Sequence, residues 1–180
     1  MLLQVKAMSK TFAAVLVLLV ACGKNSPEAI DQYVRDKRAA VFVFLATDCP
    51  LSQSYSRTLN DLRAQFVADG VEFYGVFPGE SAVDDFVATY KITFPVVVDR
   101  SFQLTDFFGA TKTPEAFAVD ADGRSIYKGA IDNWAPELGQ HRTVITEHYL
   151  LDALRSLVHH ENIRVRETPA VGCFIERRDG

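Results

Sequence analysis

Val41-Phe42-Val43-Phe44-Leu45-Ala46-Thr47-Asp48-Cys49-Pro50-Leu51-Ser52-Gln53-Ser54-Tyr55 is the stretch on which the fold turns. Val41 to Leu45 is an unbroken apolar run rich in β-branched and aromatic residues, the pattern of a strand covered on both faces. From Leu51 onward the period changes. Leu51, Tyr55, Leu59, Leu62 and Phe66 recur at steps of three or four, which predicts an amphipathic helix. Cys49 falls at the junction, at the carboxyl end of a strand and the amino end of a helix. A helix N-terminus presents unpaired N–H groups and a partial positive charge, and both favour thiolate over thiol. Pro50 suits the first helical position, where its missing N–H would be unpaired anyway. The functional reading is a reactive, accessible Cys49, and its place beside Asp48 and Pro50 argues against full burial. The bland reading is an inert core thiol. Asp48 works against a very low thiol pKa, because a neighbouring negative charge disfavours the thiolate.

Working outward, Asp69-Gly70 closes the helix and Val71 to Phe77 reads as a second buried strand. Strand, helix, strand is the βαβ unit with its right-handed crossover. Pro78-Gly79 turns the chain into a helix with Val83, Phe86, Val87 and Tyr90 on one face. Residues 95–98 form a short strand. Ser101 is placed to cap a helix carrying Leu104, Phe107 and Phe108, which Gly109 stops. Thr113-Pro114-Glu115 leads into a strand over 116–119. The Asp120-Ala121-Asp122-Gly123 turn then joins it to a strand over 125–131, as a hairpin. Residues 132–145 read as a loop, with Trp134 its anchoring aromatic, and His148 to His160 as a last helix. Upstream, Ser26 caps a helix with Pro27 at its first position and Ile30, Tyr33 and Val34 on one face, ending near Arg38.

The 180 residues suffice for one compact domain with a real core, and the formal charge of −4 gives no reason to expect nucleic acid. The N-terminus reads differently from the rest. Lys6 and Lys10 precede an apolar run from Phe12 to Ala21, too short to span a bilayer comfortably, whose end with the next residue reads Leu19-Val20-Ala21-Cys22. This is the outline of an export signal. Its last four residues resemble the lipobox of bacterial lipoproteins, in which cleavage precedes a cysteine that becomes lipidated; here that is Cys22. A plain secretory signal with an incidental Cys22 is the alternative, and Met8 is an alternative start. The expected division is 1–21 signal peptide, 22–37 lipidated tether and first helix, 38–160 α/β domain, and 161–180 tail. Loss of residues 1–21 removes Lys6 and Lys10 and no acid, moving the formal charge from −4 to −6. Lipidation of one cysteine leaves Cys49 and Cys173, in a compartment where disulfides persist. The expected location is the cell envelope, anchored to a bacterial membrane and facing the periplasm or exterior.

The order βαβ, insertion, ββα resembles the thioredoxin superfamily over about residues 38–160. The insertion is similar to that of redoxins of the AhpC/TSA and TlpA-like branch. Cys49-Pro50, Tyr127-Lys128-Gly129-Ala130-Ile131-Asp132 and Gly172-Cys173-Phe174-Ile175 together are similar to a group of bacterial redoxin-domain proteins. The resemblance implies a three-layer α/β fold, with a central mixed sheet and helices on both faces. It implies that Cys49 is the nucleophile of thiol–disulfide exchange and that Pro114 is a cis-proline opposite it. Pro50, Ser52, Thr113 and Pro114 then line a substrate groove. Ser52 stands where the second cysteine of a Cys-x-x-Cys would be. It cannot resolve a mixed disulfide, but its hydroxyl can donate to the Cys49 thiolate.

Cys173 is the candidate partner, with three readings kept open in this order: resolving thiol, structural bridge, unrelated surface thiol. The expected partners are protein or small-molecule thiols and disulfides, with a membrane redox partner possible in principle, and no cofactor is expected. Two alternatives belong to other classes. A thiol peroxidase of AhpC/TSA type lacks its usual helpers here, since Phe42 and Ala46 replace the Pro and Thr/Ser, and Thr113-Pro114 replaces the arginine. A copper-binding chaperone would use Cys49, Cys173 and one of His141, His148, His159 or His160. The stronger reading of His159 and His160 is as residues of a last helical turn. A non-catalytic adaptor would use the groove by Pro114, with Trp134 as a candidate contact.

Overall fold

The computed structural model describes residues 28–79 and 82–177. The predicted cap at Ser26 and Pro27, the signal segment and Cys22 lie outside these residues. The elements, in chain order, are helix α1 (Glu28–Val34), strand β1 (Ala39–Phe44), helix α2 (Pro50–Phe66), β2 (Val71–Pro78), α3 (Val83–Tyr90) and β3 (Val96–Asp99). After them come α4 (Gln103–Phe108), β4 (Lys112–Thr113), β5 (Glu115–Asp120), β6 (Ser125–Gly129), α5 (Tyr149–Val158) and β7 (Cys173–Phe174). Among these, no helix is long and apolar enough to cross a membrane.

Five strands form one sheet in the order β3-β2-β1-β5-β6. β1 pairs parallel with β2 and antiparallel with β5, so it is the central strand and every one of its residues is buried. Alternate residues then serve opposite faces. Ala39, Val41 and Val43 join Leu59, Leu62 and Phe66 of α2, Phe86 of α3, and Leu150 and Leu154 of α5. Ala40, Phe42 and Phe44 join Ile30 and Val34 of α1 and Leu104 of α4. The result is the three-layer thioredoxin-like α/β fold, with α3-β3-α4 between its βαβ and ββα halves. A central β1 also delivers the chain to the middle of the sheet edge, where Cys49 follows.

The boundaries depart from expectation in three places. α1 stops at Val34 rather than near Arg38, because Asp36 turns into the left-handed region (φ 60°). Ser101 does not cap α4. Phe102 holds the cap position, and the carboxylate of Asp99, at the end of β3, accepts from Thr105 N–H and Oγ1, both at 2.8 Å. The strand expected over 125–131 ends at Gly129, where the tail arrives. Lys128 N–H donates to Arg166 O at 3.0 Å and Thr168 N–H to Lys128 O at 3.0 Å. A Cβ on Gly129 (φ 126°) would stand 1.9 Å from Thr168 O, so glycine is required for this approach. Beyond it, β7 pairs antiparallel with β4, Thr113 opposite Cys173.

Candidate active site

Cys49 occupies the cap position of α2 with extended backbone (φ −84°, ψ 115°), and Pro50 begins the helix. Its carbonyl accepts Gln53 N–H at 3.1 Å, and its own N–H donates to Ala46 O at 3.3 Å, so the thiol is held by strand and helix together. Ser52 is buried one turn along. Its hydroxyl oxygen accepts Ala46 N–H at 3.2 Å, which ties the loop to the helix and leaves its proton for the sulfur.

The tail completes the site. β7 lays Cys173 beside Thr113, and Cys173 Sγ–H donates to Cys49 Sγ at 2.8 Å. Gly172 makes the approach possible, since a Cβ there would lie 2.2 Å from Thr113 O. The Thr113–Pro114 bond is cis. Thr113 O lies 3.0 Å from Cys49 Sγ and accepts its proton when the thiol is neutral. Thr113 Oγ1 is buried and has no hydrogen-bond partner among the described residues. The structure thus gathers Cys49, Ser52, Thr113 and Cys173, with Pro50 and Pro114 as their immediate chain neighbours.

One expectation is overturned. Cys49 is not accessible: its exposure is 0%. The strand end itself is not the cause. Cys173 and Val171 of the tail, with Leu51, Trp134 and Ala135, close over the sulfur. The groove expected beside Thr113 and Pro114 is filled by the chain's own residues 172 and 173, and Pro114 is buried. The group that covers the sulfur is itself a thiol, that of Cys173.

The two sulfurs are driven apart in acidity. Burial pushes the Cys49 thiol up. Hydrogen bonds from Cys173 Sγ–H, from the Ser52 and Cys173 backbone and from the Ser52 hydroxyl outweigh it, and the net direction is down from the ordinary thiol value. Burial also pushes Cys173 up, and there the Cys49 thiolate and the charge of Asp48 add to it, raising it to about 12. The carboxylate of Asp48 was expected to oppose ionisation of Cys49. It acts instead on Cys173, beside which it lines a groove of about 440 Å³. Once Cys49 ionises, Cys173 Sγ–H stands against it as a proton donor, an arrangement that would suit a nucleophile and a resolving thiol.

The contacts that hold the covering loop and the tail in place carry no signal of their own in the sequence. Tyr55 OH donates to Asp132 Oδ1 at 2.6 Å, and Trp134 N–H donates to the same oxygen at 2.8 Å. Burial and Asp132 together hold the Tyr55 hydroxyl well above its ordinary range. This buried knot fixes the loop that lays Ala135 on Cys49. Trp134 also stands edge-on to Tyr55 and stacks on His141 at 5.4 Å, which makes it a loop anchor. Tyr127 OH bonds Thr168 Oγ1, which also accepts Ala130 N–H at 3.0 Å. The Tyr127 to Asp132 motif therefore holds the tail with Tyr127 and Gly129 and the covering loop with Asp132. Phe42, at a position peroxidases use differently, stacks against Tyr74 on the far face of the sheet. Among the described residues, no group of three or more His, Cys, Asp and Glu is arranged to hold a metal ion.

A model of the AhpC/TSA family matches residues 11–127. The thiol-disulfide oxidoreductase ResA of Bacillus subtilis (strain 168) is 32% identical over 94 residues, 50% of this chain and 52% of that protein. ResA of Bacillus thuringiensis subsp. konkukian (strain 97-27) is 30% identical over 93 residues, 50% of this chain and 54% of that protein. The chain spans about half the length of these curated relatives. Among solved structures, a hypothetical protein of Sinorhizobium meliloti 1021 has a TM-score of 0.72 at 21% identity, covering 83% of this chain and 85% of that one. An uncharacterized conserved protein of Geobacillus kaustophilus also gives 0.72 at 21% identity, over 83% of this chain and 82% of that one. These two show the fold alone.

Proposed function

This chain belongs to the AhpC/TSA family, and we propose that within it the protein is a thiol–disulfide oxidoreductase working through Cys49 and Cys173. The observation that carries the proposal is the 2.8 Å contact between the two sulfurs at the amino end of α2. The partial names of its relatives point the same way, since ResA is described as a thiol-disulfide oxidoreductase.

The chemistry follows from the acidity difference. When the tail lifts, the Cys49 thiolate attacks one sulfur of a substrate disulfide. A bond forms between Cys49 and that sulfur, the substrate S–S bond breaks, and the other half leaves as a thiolate that takes a proton. Cys173, its proton passed to that leaving thiolate and the Cys49 charge no longer facing it, attacks Cys49 Sγ and expels the second half as a thiolate that is protonated by water. The substrate has gained two electrons, and the protein holds a Cys49–Cys173 disulfide. Ser52, whose hydroxyl and backbone N–H donate to the Cys49 sulfur, keeps the nucleophile in place once it is ionised.

Exchange with a disulfide substrate tests this. In Cys173→Ser the first step remains and the second is lost, so a mixed disulfide should accumulate on Cys49, visible as an added mass that reductant removes. Free turnover in that variant would contradict the assignment. Cys49→Ser should show no turnover at all.

The finer reading places the protein in the cell envelope, lipid-anchored through Cys22 and facing protein thiols and disulfides, with a membrane redox partner as electron source or sink. Lys6, Lys10, the apolar run and Leu19-Val20-Ala21-Cys22 support it. Incorporation of a labelled fatty acid that is lost in Cys22→Ala tests the anchor.

A further inference from the structure

The two sulfurs differ in what can reach them, and the difference bears on how the oxidised protein is returned to the dithiol. Cys49 has no exposed surface. Cys173 is half-buried and lines the groove of about 440 Å³, together with Asp48, Gly79, Arg100, Phe102 and Ile175. In the reduced protein non-covalent contacts hold the tail beside Cys49: the two-residue pairing of β7 with β4, Ile175 N–H on Thr111 O at 3.0 Å and Lys112 Nζ on Ala170 O at 2.9 Å. In the bridged protein a covalent bond is added to them. The sulfurs are already 2.8 Å apart, and a disulfide needs about 2.05 Å, so bond formation leaves Cys49 where it lies. The bond then pins the segment that covers it.

We propose that the thiol that reopens the Cys49–Cys173 disulfide attacks Cys173 Sγ through this groove, with Cys49 as the leaving group. This rests on the exchange reading above and adds the direction of its second half. A thiolate in the groove meets Cys173, which lines it, whereas Cys49 has no exposed surface, so access is open at Cys173 and closed at Cys49. The new bond joins the incoming sulfur to Cys173 Sγ. The Cys49–Cys173 bond breaks, and its electron pair goes to Cys49 Sγ, which the Ser52 hydroxyl and the α2 terminus receive. A second thiol, from the same partner or another molecule, attacks the incoming sulfur and releases Cys173, which takes a proton from water. Two thiols are oxidised to one disulfide and the protein bridge is reduced.

Leaving-group chemistry works in the same direction through the groups that persist in the adduct. A departing Cys49 is received by the Ser52 hydroxyl and backbone N–H, whereas a departing Cys173 would meet burial and the charge of Asp48. Arg100 and Phe102 flank the approach, so a thiol with a nearby carboxylate or an apolar neighbour has something to contact.

The probe is glutathione, a monothiol whose adduct persists. Wild-type protein is first oxidised, and the bridge is confirmed by the peptide joining Cys49 to Cys173. It is then mixed with glutathione, quenched in acid at short times, alkylated and mapped. Glutathione should appear on Cys173 and the alkyl group on Cys49, with the Cys173 adduct in excess by about tenfold or more. Early adducts on Cys49, or equal labelling of the two, would overturn the proposal while leaving the exchange reading intact. Failure to form the bridge at all would overturn both.

Discussion

Cys49 and Cys173 end up side by side, yet they are held by two unlike parts of the molecule. Cys49 sits between the central strand and the longest helix, and its supports are the buried ladders of β1 and the Leu59, Leu62 and Phe66 face of α2. Cys173 rides on a tail fixed at a few points. Thr168 bonds at the edge of β6, β7 pairs over two residues with β4, and Arg177 makes an ion pair with Asp106 and lies over the Phe102 ring at 5.1 Å. Phe174 is 71% exposed, so β7 contributes little burial to its own docking. A thiol placed by a core is fixed for as long as the protein is folded. A thiol placed by a few bonds can be released without global unfolding. The proposed exchange, in which the pair opens to substrate and closes to resolve, needs one of each.

The sharpest way to separate the two supports is to damage each alone. Leu59→Ala removes a fully buried side chain from α2 and should cost about 2–5 kcal/mol of global stability. Denaturant melts should show it, while oxidation of the folded fraction still yields the bridge. Gly172→Ala sets a Cβ against Thr113 O and should cost about 1–3 kcal/mol, mostly at the tail. Its signature is faster alkylation of Cys49 and loss of the bridge, with the core transition little moved. If Gly172→Ala instead lowers the global midpoint as Leu59→Ala does, tail and core are one cooperative unit and the comparison fails.

Smaller changes sharpen it further. Thr168→Val deletes the side-chain bonds to Ala130 N–H and Tyr127 OH. It should weaken tail closure by about 1 kcal/mol, read as a several-fold rise in Cys49 alkylation. The pH dependence should show two separate thiolate steps in the reduced protein. Cys49, lowered from the ordinary thiol value, ionises first, so its thiolate is already present at pH values where a free thiol is still protonated. Cys173 follows at about 12. Ultraviolet thiolate absorbance follows both. Ser52→Ala removes a donor to Cys49 and should move the first step upward, the smallest effect of the set. Cys49→Ser removes the charge facing Cys173 and should bring its step down.

The same contrast decides what could be read before any coordinates. The core half is written in periodicity. Val41 to Leu45 and the Leu51 to Phe66 spacing determine β1 and α2, and with them the position of Cys49. Thr113 and Pro114 are legible through the resemblance to thioredoxins, and the Thr113–Pro114 bond is cis as that resemblance implies. The tail has no period to read. Its docking depends on Gly129 and Gly172 allowing backbone to touch backbone, and on a hydroxyl at Thr168, all local and short-ranged. The contact with Cys49 spans 124 residues. The burial of Cys49 is a consequence of that docking, so a reading of residues 45–55 alone expects exposure. The cap of α4 fails for a similar reason: the carboxylate that binds Thr105 comes from Asp99, on the preceding strand, rather than from the nearest serine.

The pairing of the two sulfurs is tested most directly by peptide mapping of the protein after mild oxidation, with free thiols alkylated under denaturing conditions. The account predicts a cross-linked peptide joining Cys49 to Cys173 that reductant splits, with neither cysteine alkylated beforehand. Full alkylation of both after oxidation, or a bridge from either to another protein molecule in its place, would contradict it.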